Sequence, residues 1–294
     1  MEINGEIEDI DIGYGGEVLP PENNLVALID ADTLAYTSCV LCEQREDMMP
    51  REFYTDAEWK EAINNPNYDE ESHAIWTINL GEAYEKAMEK LERIYQKTGC
   101  RSCEMHFSDG KNNFRYKIFP AYKANRKGRS PAGLRELKHK LHENFDGTIS
   151  TEWEADDIVV YLKEANPEKY MMVAVDKDLL YSVEGTHFNY YESSQYNIDM
   201  KFVDVGAETK MKWPYIQALV GDSVDGIKGV KGIGKAKAPK MLADCLTPAE
   251  CWEVVKQAYE DSGETFIEAI VTMQLVDMHQ FNGKEIVLWN PNNI

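Results

Sequence analysis

The chain has 294 residues, 43% of them hydrophobic and 28% charged, with a formal net charge of −21. This is the composition of a folded globular protein with material for one large or two medium cores, and it excludes a collagen-like or largely disordered chain. The acidic total also argues against indiscriminate binding of polyanions.

Residues 1–24 read as an acidic tail with Gly and Pro. They carry no basic start and no apolar stretch, so a secretory signal is not expected. LVALID (25–30) reads as a buried parallel strand, with a helix starting near Thr33. Residues 46–72 are polar, hold Pro50 and Pro66, and are expected to be an irregular surface insertion. Residues 80–97 show a helical pattern that Gly99 ends. CEMHFSD (103–109) is a second strand, followed by a basic segment and, from Pro131, a helix. Residues 149–165 pass from an extended piece into a helix. MMVAVD (171–176) and HFNYYES (187–193) are the third and fourth strands. Alternation of strands and helices predicts an α/β domain over 25–200 with a mainly parallel sheet. Beyond 200, short helices and Gly-rich turns predict a helical subdomain over 201–294.

Charge is unevenly placed. Residues 111–140 hold ten Lys or Arg against one acid, and residues 226–240 hold five Lys and no acid. These are two places to grip phosphate in an otherwise acidic chain. The first, within FRYKIFPAYKANRKGRSP, sets Tyr122 beside Lys123, Arg126, Lys127 and Arg129; cations attract phosphate, and an aromatic face can stack on a base. The second, LVGDSVDGIKGVKGIGKAKAPKMLA (219–243), has Gly229, Gly232 and Gly234 between two helical stretches, with Lys231, Lys235 and Lys237. Its backbone N–H groups can meet a phosphate where the second helix begins.

The acids fall at strand ends. The first strand ends in Asp30, the second in Asp109 and the third in Asp176, with Asp178 two residues on. Glu154, Asp156 and Asp157 open a helix. Each alone is most simply a helix cap or first-turn acid. Ligands of open α/β sheets bind at the carboxyl ends of strands, so together these acids should meet at one edge. Like charges there need neutralising, and hard oxygen ligands favour Mg²⁺ or Mn²⁺. Asp32 is closer to a structural role.

The motifs LIDADTLAY (28–36), FSDGKNNFRYKIFPAYKANRK (107–127), EWEADDIVVY (152–161), AVDKDLLY (174–181) and LVGDSVDGIKGVKGIGKAKA (219–238) resemble the flap endonuclease / 5′–3′ exonuclease family, especially its phage members. The resemblance spans about residues 25–245. It implies a PIN-like nuclease domain with a helix–hairpin–helix element at 216–243, in an enzyme of DNA replication; a monomer in the cytoplasm is expected. It implies a two-metal site: Asp30, Asp109, Glu154 and Asp156 on the first ion, Asp176, Asp178 and Asp225 on the second, with Asp157 and Asp222 nearby. Lys123 and Arg126 would steady the scissile phosphate, and Tyr122 would stack on the terminal base. Lys127 and Arg129 would join the DNA contacts. The hairpin around Gly229–Gly234 would grip duplex backbone, with K⁺ held by its carbonyls. Substrates would be duplex DNA with a 5′ end or flap and RNA–DNA primer junctions. The stretch from Arg126 to Glu154 is short for the family's helical arch. A PIN-type ribonuclease, or a noncatalytic DNA-structure binder of the same fold, are the competing readings.

Cys39/Cys42 and Cys100/Cys103 form two CxxC pairs. Four thiolates could hold structural Zn²⁺, but the long gap between the pairs favours buried free thiols and a reducing compartment.

Overall fold

The computed structural model describes residues 24–110, 112–126 and 128–294. The acidic tail therefore lies outside the described residues except for Asn24, and so does Lys127.

The apolar run near the start forms strand β1 (Val26–Asp30), and helix α1 (Asp32–Cys42) follows it. Strand β2 (Glu43–Asp47), helix α2 (Asp56–Ile63), and strands β3 (Tyr68–Asp69) and β4 (Ala74–Ile78) come next. Helix α3 (Leu80–Thr98) ends at Gly99 and leads to β5 (Cys103–Ser108). Helices α4 (Phe114–Ile118) and α5 (Leu134–Asn144) precede β6 (Asp146–Ser150) and α6 (Ala155–Ala165). Strand β7 (Tyr170–Ala174), helix α7 (Lys177–Tyr181), β8 (Gly185–Asn189) and β9 (Lys201–Val205) complete the first half.

The main sheet has the order β6-β5-β1-β7-β8-β9. Its first five strands are parallel, and β9 closes one edge antiparallel to β8. Alternation along β1 explains the layers. Ala27 and Ile29 face a core with Leu34, Leu91 and Leu137, from α1, α3 and α5. Leu28 faces Val159, Met172 and Leu179 on the other side. From β1 the chain first extends the sheet to β5 and β6, then crosses to β7. The strand order thus reverses around β1, which is where such sheets open a crevice.

Two expectations are corrected. The polar stretch 46–72 is not irregular: it belongs to a three-stranded antiparallel sheet, β2-β4-β3, with α2 capped by a Thr55–Glu58 box. The polar sequence EQRED forms a strand because AIWTI pairs with it residue for residue, from Glu43–Ile78 to Asp47–Ala74. The main sheet also runs past residue 200, to Val205.

The remaining chain is helical. Helix α8 (Ala207–Val220) is followed by the short strands β10 (Gly221–Asp222) and β11 (Ile227–Lys228), then α9 (Ala238–Met241). Helices α10 (Pro248–Ser262) and α11 (Phe266–Val276) pack on α8 through Trp213, Leu219, Trp252, Tyr259 and Met273. Tight backbone contact shapes the hairpin. A Cβ on Gly229 would fall 2.1 Å from the Val220 carbonyl carbon, so only glycine fits. Among the described residues no helix is long and apolar enough to cross a membrane.

Candidate active site

The carboxyl edge of the sheet collects the acids. Asp30 is the last residue of β1 and is 6% exposed. Glu154 caps α6, accepts from the Asp157 N–H, and is 7% exposed. Asp176 caps α7, accepting from the Asp178 N–H at 2.8 Å. Asp222 folds the turn after β10 by accepting from the N–H groups of Val224 at 2.8 Å and Asp225 at 3.3 Å. The turn is therefore shaped by one acid and offers the next. Asp109 follows β5 on this edge and lies 3.7 Å from Arg135.

These acids repel one another. Burial, then Asp32 and Asp176, push the Asp30 carboxyl up to about 8. Burial, Asp30, Glu154 and Asp176 raise Asp156 well above the carboxylate range. Burial, Asp176 and Asp222 do the same to Asp178. Asp222 is raised by burial and by Asp225. Glu154 is the exception. Burial pushes it up, but Lys123 and Arg115 overrule that and hold it at about 2.

Lys123 is the cation inside this cluster. Its ammonium pairs with Glu154 and lies 3.7 Å from Asp225, and Arg126 pairs with Asp225. Among the described residues, no three His, Cys, Asp or Glu side chains stand close enough to hold a metal ion by themselves. The cations Lys123 and Arg126 take the carboxylate oxygens of Glu154 and Asp225 instead. The donor set still fits a hard divalent ion: it is all oxygen, and a cation would relieve the repulsion that raises Asp30, Asp156 and Asp178.

Several residues singled out from the sequence stand elsewhere. Asp157 is no metal ligand. It is fully buried and turned into the protein, where both its oxygens accept from Arg115. Tyr122 is 3% exposed, so it cannot stack on a base. Its hydroxyl lies 2.9 Å from a Glu154 oxygen and 3.0 Å from an Asp225 oxygen and shares its one proton between them, tying the two halves of the cluster together. Arg129 is not a free phosphate contact, because it pairs with Glu43 and covers Trp76. Asp32 accepts from the Ser108 N–H and pairs with Lys138 at 2.7 Å.

The four cysteines of the CxxC pairs are buried free thiols. Burial, then Glu43 and Cys42, push the Cys39 thiol up to about 12, and burial lifts Cys103 to about 11.

Arg115 was missed. Its guanidinium is 2% exposed and also donates to the Leu275 carbonyl at 3.0 Å and to Glu154 at 3.1 Å. It joins α4, the start of α6 and the end of α11. Its place in a basic segment gave no sign of burial.

The Gly-rich hairpin leaves α8 by a hydrogen bond from the Val230 N–H to the Leu219 carbonyl at 2.8 Å. Val230 and Ile233 anchor it in the helical core, while Lys231, Lys235 and Lys237 are exposed. Lys212, on α8, donates to the Ala243 carbonyl at 2.8 Å and so ties α8 to the end of the element.

No family model matches the chain. It is 30% identical over 165 residues to flap endonuclease Xni of Shewanella amazonensis, covering 53% of this chain and 64% of that protein. It is 28% identical over 150 residues to DNA polymerase I of Mycobacterium bovis, covering 47% of this chain and 17% of the polymerase. The matches thus span a little under two thirds, or less, of these curated relatives. Among solved structures, a variant of the bacteriophage T5 flap endonuclease, described as a complex with DNA and metal ions, superposes with a TM-score of 0.55 at 15% identity, over 86% of this chain and 89% of that one. T5 5′-exonuclease with bound zinc gives 0.53 at 14% identity, over the same shares. The fold is that of a PIN-like 5′ nuclease. Sequence relatives and fold together support a likeness to the flap endonuclease / 5′–3′ exonuclease family.

Proposed function

We propose that the chain is a divalent-metal-dependent 5′–3′ exonuclease or flap endonuclease. It hydrolyses phosphodiester bonds at the 5′ ends of duplex or flapped DNA, and of RNA primers on DNA, in replication of the phage type. One observation carries this reading: seven carboxylates from separate stretches (Asp30, Glu154, Asp156, Asp176, Asp178, Asp222 and Asp225) crowd one edge, with Lys123 and Arg126 paired to Glu154 and Asp225 among them.

Asp30, Asp109, Glu154 and Asp156 would hold one Mg²⁺ or Mn²⁺. Asp176, Asp178 and Asp225 would hold a second, with Asp222 setting the turn. When bound, such ions make water a stronger acid near neutral pH and draw charge from the phosphate. The chain's own residues do the rest. Lys123 and Arg126 leave their carboxylates for the nonbridging oxygens of the scissile phosphate and offset the charge that develops there. Tyr122 holds Glu154 and Asp225 in place from beneath. The hairpin Gly229–Gly234, with Lys231, Lys235 and Lys237, carries duplex backbone, and K⁺ on its carbonyls would strengthen that grip. Other replication proteins are its natural partners, and it acts as a monomer in the cytoplasm.

The test is digestion of 5′-labelled flapped duplex, blunt duplex, single-stranded DNA and single-stranded RNA, with and without Mg²⁺. Mg²⁺-dependent release of products from the 5′ end of flapped or blunt duplex is expected. Cleavage of the RNA alone would favour a PIN-type ribonuclease, and binding without cleavage a noncatalytic role.

A further inference from the structure

The insertion at 43–78 has a partner inside the protein. Glu43, at the start of β2, has a side chain only 9% exposed and uses both oxygens. One accepts from Arg129 at 2.7 Å and the other from the Ala132 N–H at 3.1 Å. The Arg129 guanidinium lies 3.9 Å from the ring centre of Trp76, on β4. Gly133 has a φ of +69°, and a Cβ there would fall 2.7 Å from Cγ2 of Ile78. Residues 129–133 are thus seated on the insertion.

The chain just before them is held from the opposite side. The Lys123 N–H donates to the Asp225 carbonyl at 2.9 Å, the Asn125 amide donates to the Ser223 carbonyl, and Arg126 pairs with the Asp225 carboxylate. Just after them, Arg135 lies 3.7 Å from Asp109 and Lys138 pairs with Asp32. Residues 123–126 and 128–138 therefore run as a strap along the acidic edge, from Asp225 to Asp109. The insertion fixes its far half.

The geometry points to the insertion as a specificity element: Glu43 and Trp76 pin Arg129, so that a 5′ strand meets a preset side wall at the carboxylates. This rests on the nuclease reading above. A wall ordered before binding costs little entropy when a narrow strand enters and resists a wide one, which must displace it. The insertion itself is not a DNA grip. Asp and Glu outnumber Lys and Arg ten to three over 43–78, so phosphates are repelled there.

The test uses the full chain, as wild type, Glu43→Gln and Trp76→Leu, with Arg129→Ala reaching the same contacts from the strap. Hydrogen exchange of the DNA-free protein reads the pinning. Cleavage of a single-stranded 5′ flap, against the same flap paired to a complementary oligonucleotide, reads selectivity. Loss of the ion pair and the cation–π contact should speed exchange at 128–133 by about tenfold. Preference for the single-stranded flap should fall several-fold, while Glu43→Gln keeps its rate on that flap within about twofold. Faster exchange with unchanged preference would leave the insertion a stabiliser only and overturn the proposal. Unchanged exchange would show that the strap is not held there. A wild type that cuts neither substrate would instead sink the nuclease reading and the selectivity role with it, while exchange still reports the anchor.

Discussion

Arg115 and Asp157 form a bidentate ion pair, Nη1 to Oδ2 at 2.8 Å and Nη2 to Oδ1 at 2.7 Å, with neither side chain more than 2% exposed. The pair lies directly behind Glu154, which Arg115 also contacts. Removing one partner of a buried pair strands the other. Asp157→Ala should therefore cost about 3–5 kcal/mol of stability. Denaturant unfolding of the two proteins checks it. A loss below about 1 kcal/mol would mean that the pair is solvated.

Asp156 stands one residue earlier and has the opposite prospect. Burial and three neighbouring acids disfavour its charge. Asp156→Asn should raise the metal-free melting temperature, a gain of about 1 kcal/mol. It should also abolish cleavage. Mg²⁺ should stabilise the wild type and leave the variant nearly unmoved, as ligand linkage requires. Thermal melts with and without Mg²⁺ read both effects.

Lys235 and Lys237 are exposed on the hairpin arm. Replacing both by Ala should weaken duplex binding and reduce the slope of log K against log salt by about 1.8, two phosphate contacts' worth. An unchanged slope would remove the hairpin from the DNA surface.

His279 gives a pH dependence away from the site. Burial opposes its charge, but Asp277 at 2.8 Å and Glu164 at 3.5 Å prevail and raise it from 6.5 to about 10. A raised histidine stabilises the fold fully below its unfolded value. That contribution is lost as pH climbs from 6.5 through about 10. The melting-temperature gap between wild type and His279→Gln should therefore narrow over this window. A gap that is constant with pH would show the histidine to be neutral throughout.

The sequence revealed buried parallel strands well, because LVALI and MMVAV are apolar on both faces and end in acids. It revealed the Gly-rich hairpin for a similar reason, since close backbone approach leaves glycines as a trace. It could not separate Asp156 from Asp157. Adjacent helical residues point about 100° apart, and only the packed fold decides which faces the crevice. Nor could it show that Tyr122 and Arg115 are buried and that Arg129 is half-buried in an ion pair. Each sits in a basic stretch that reads as surface, and each is covered by residues distant in the chain: Glu154 and Asp225, Asp157 and Leu275, Glu43 and Trp76. The strand EQRED was illegible because four of its five residues are exposed and its order comes from β4.

The acidic edge is expected to bind divalent ions. Anomalous diffraction from crystals soaked in Mn²⁺ tests it most directly. Peaks between Asp30, Glu154 and Asp156, and between Asp176, Asp178 and Asp225, are predicted, with Lys123 displaced from Glu154. A map with no peak at this edge, and Lys123 still seated on Glu154, would contradict it.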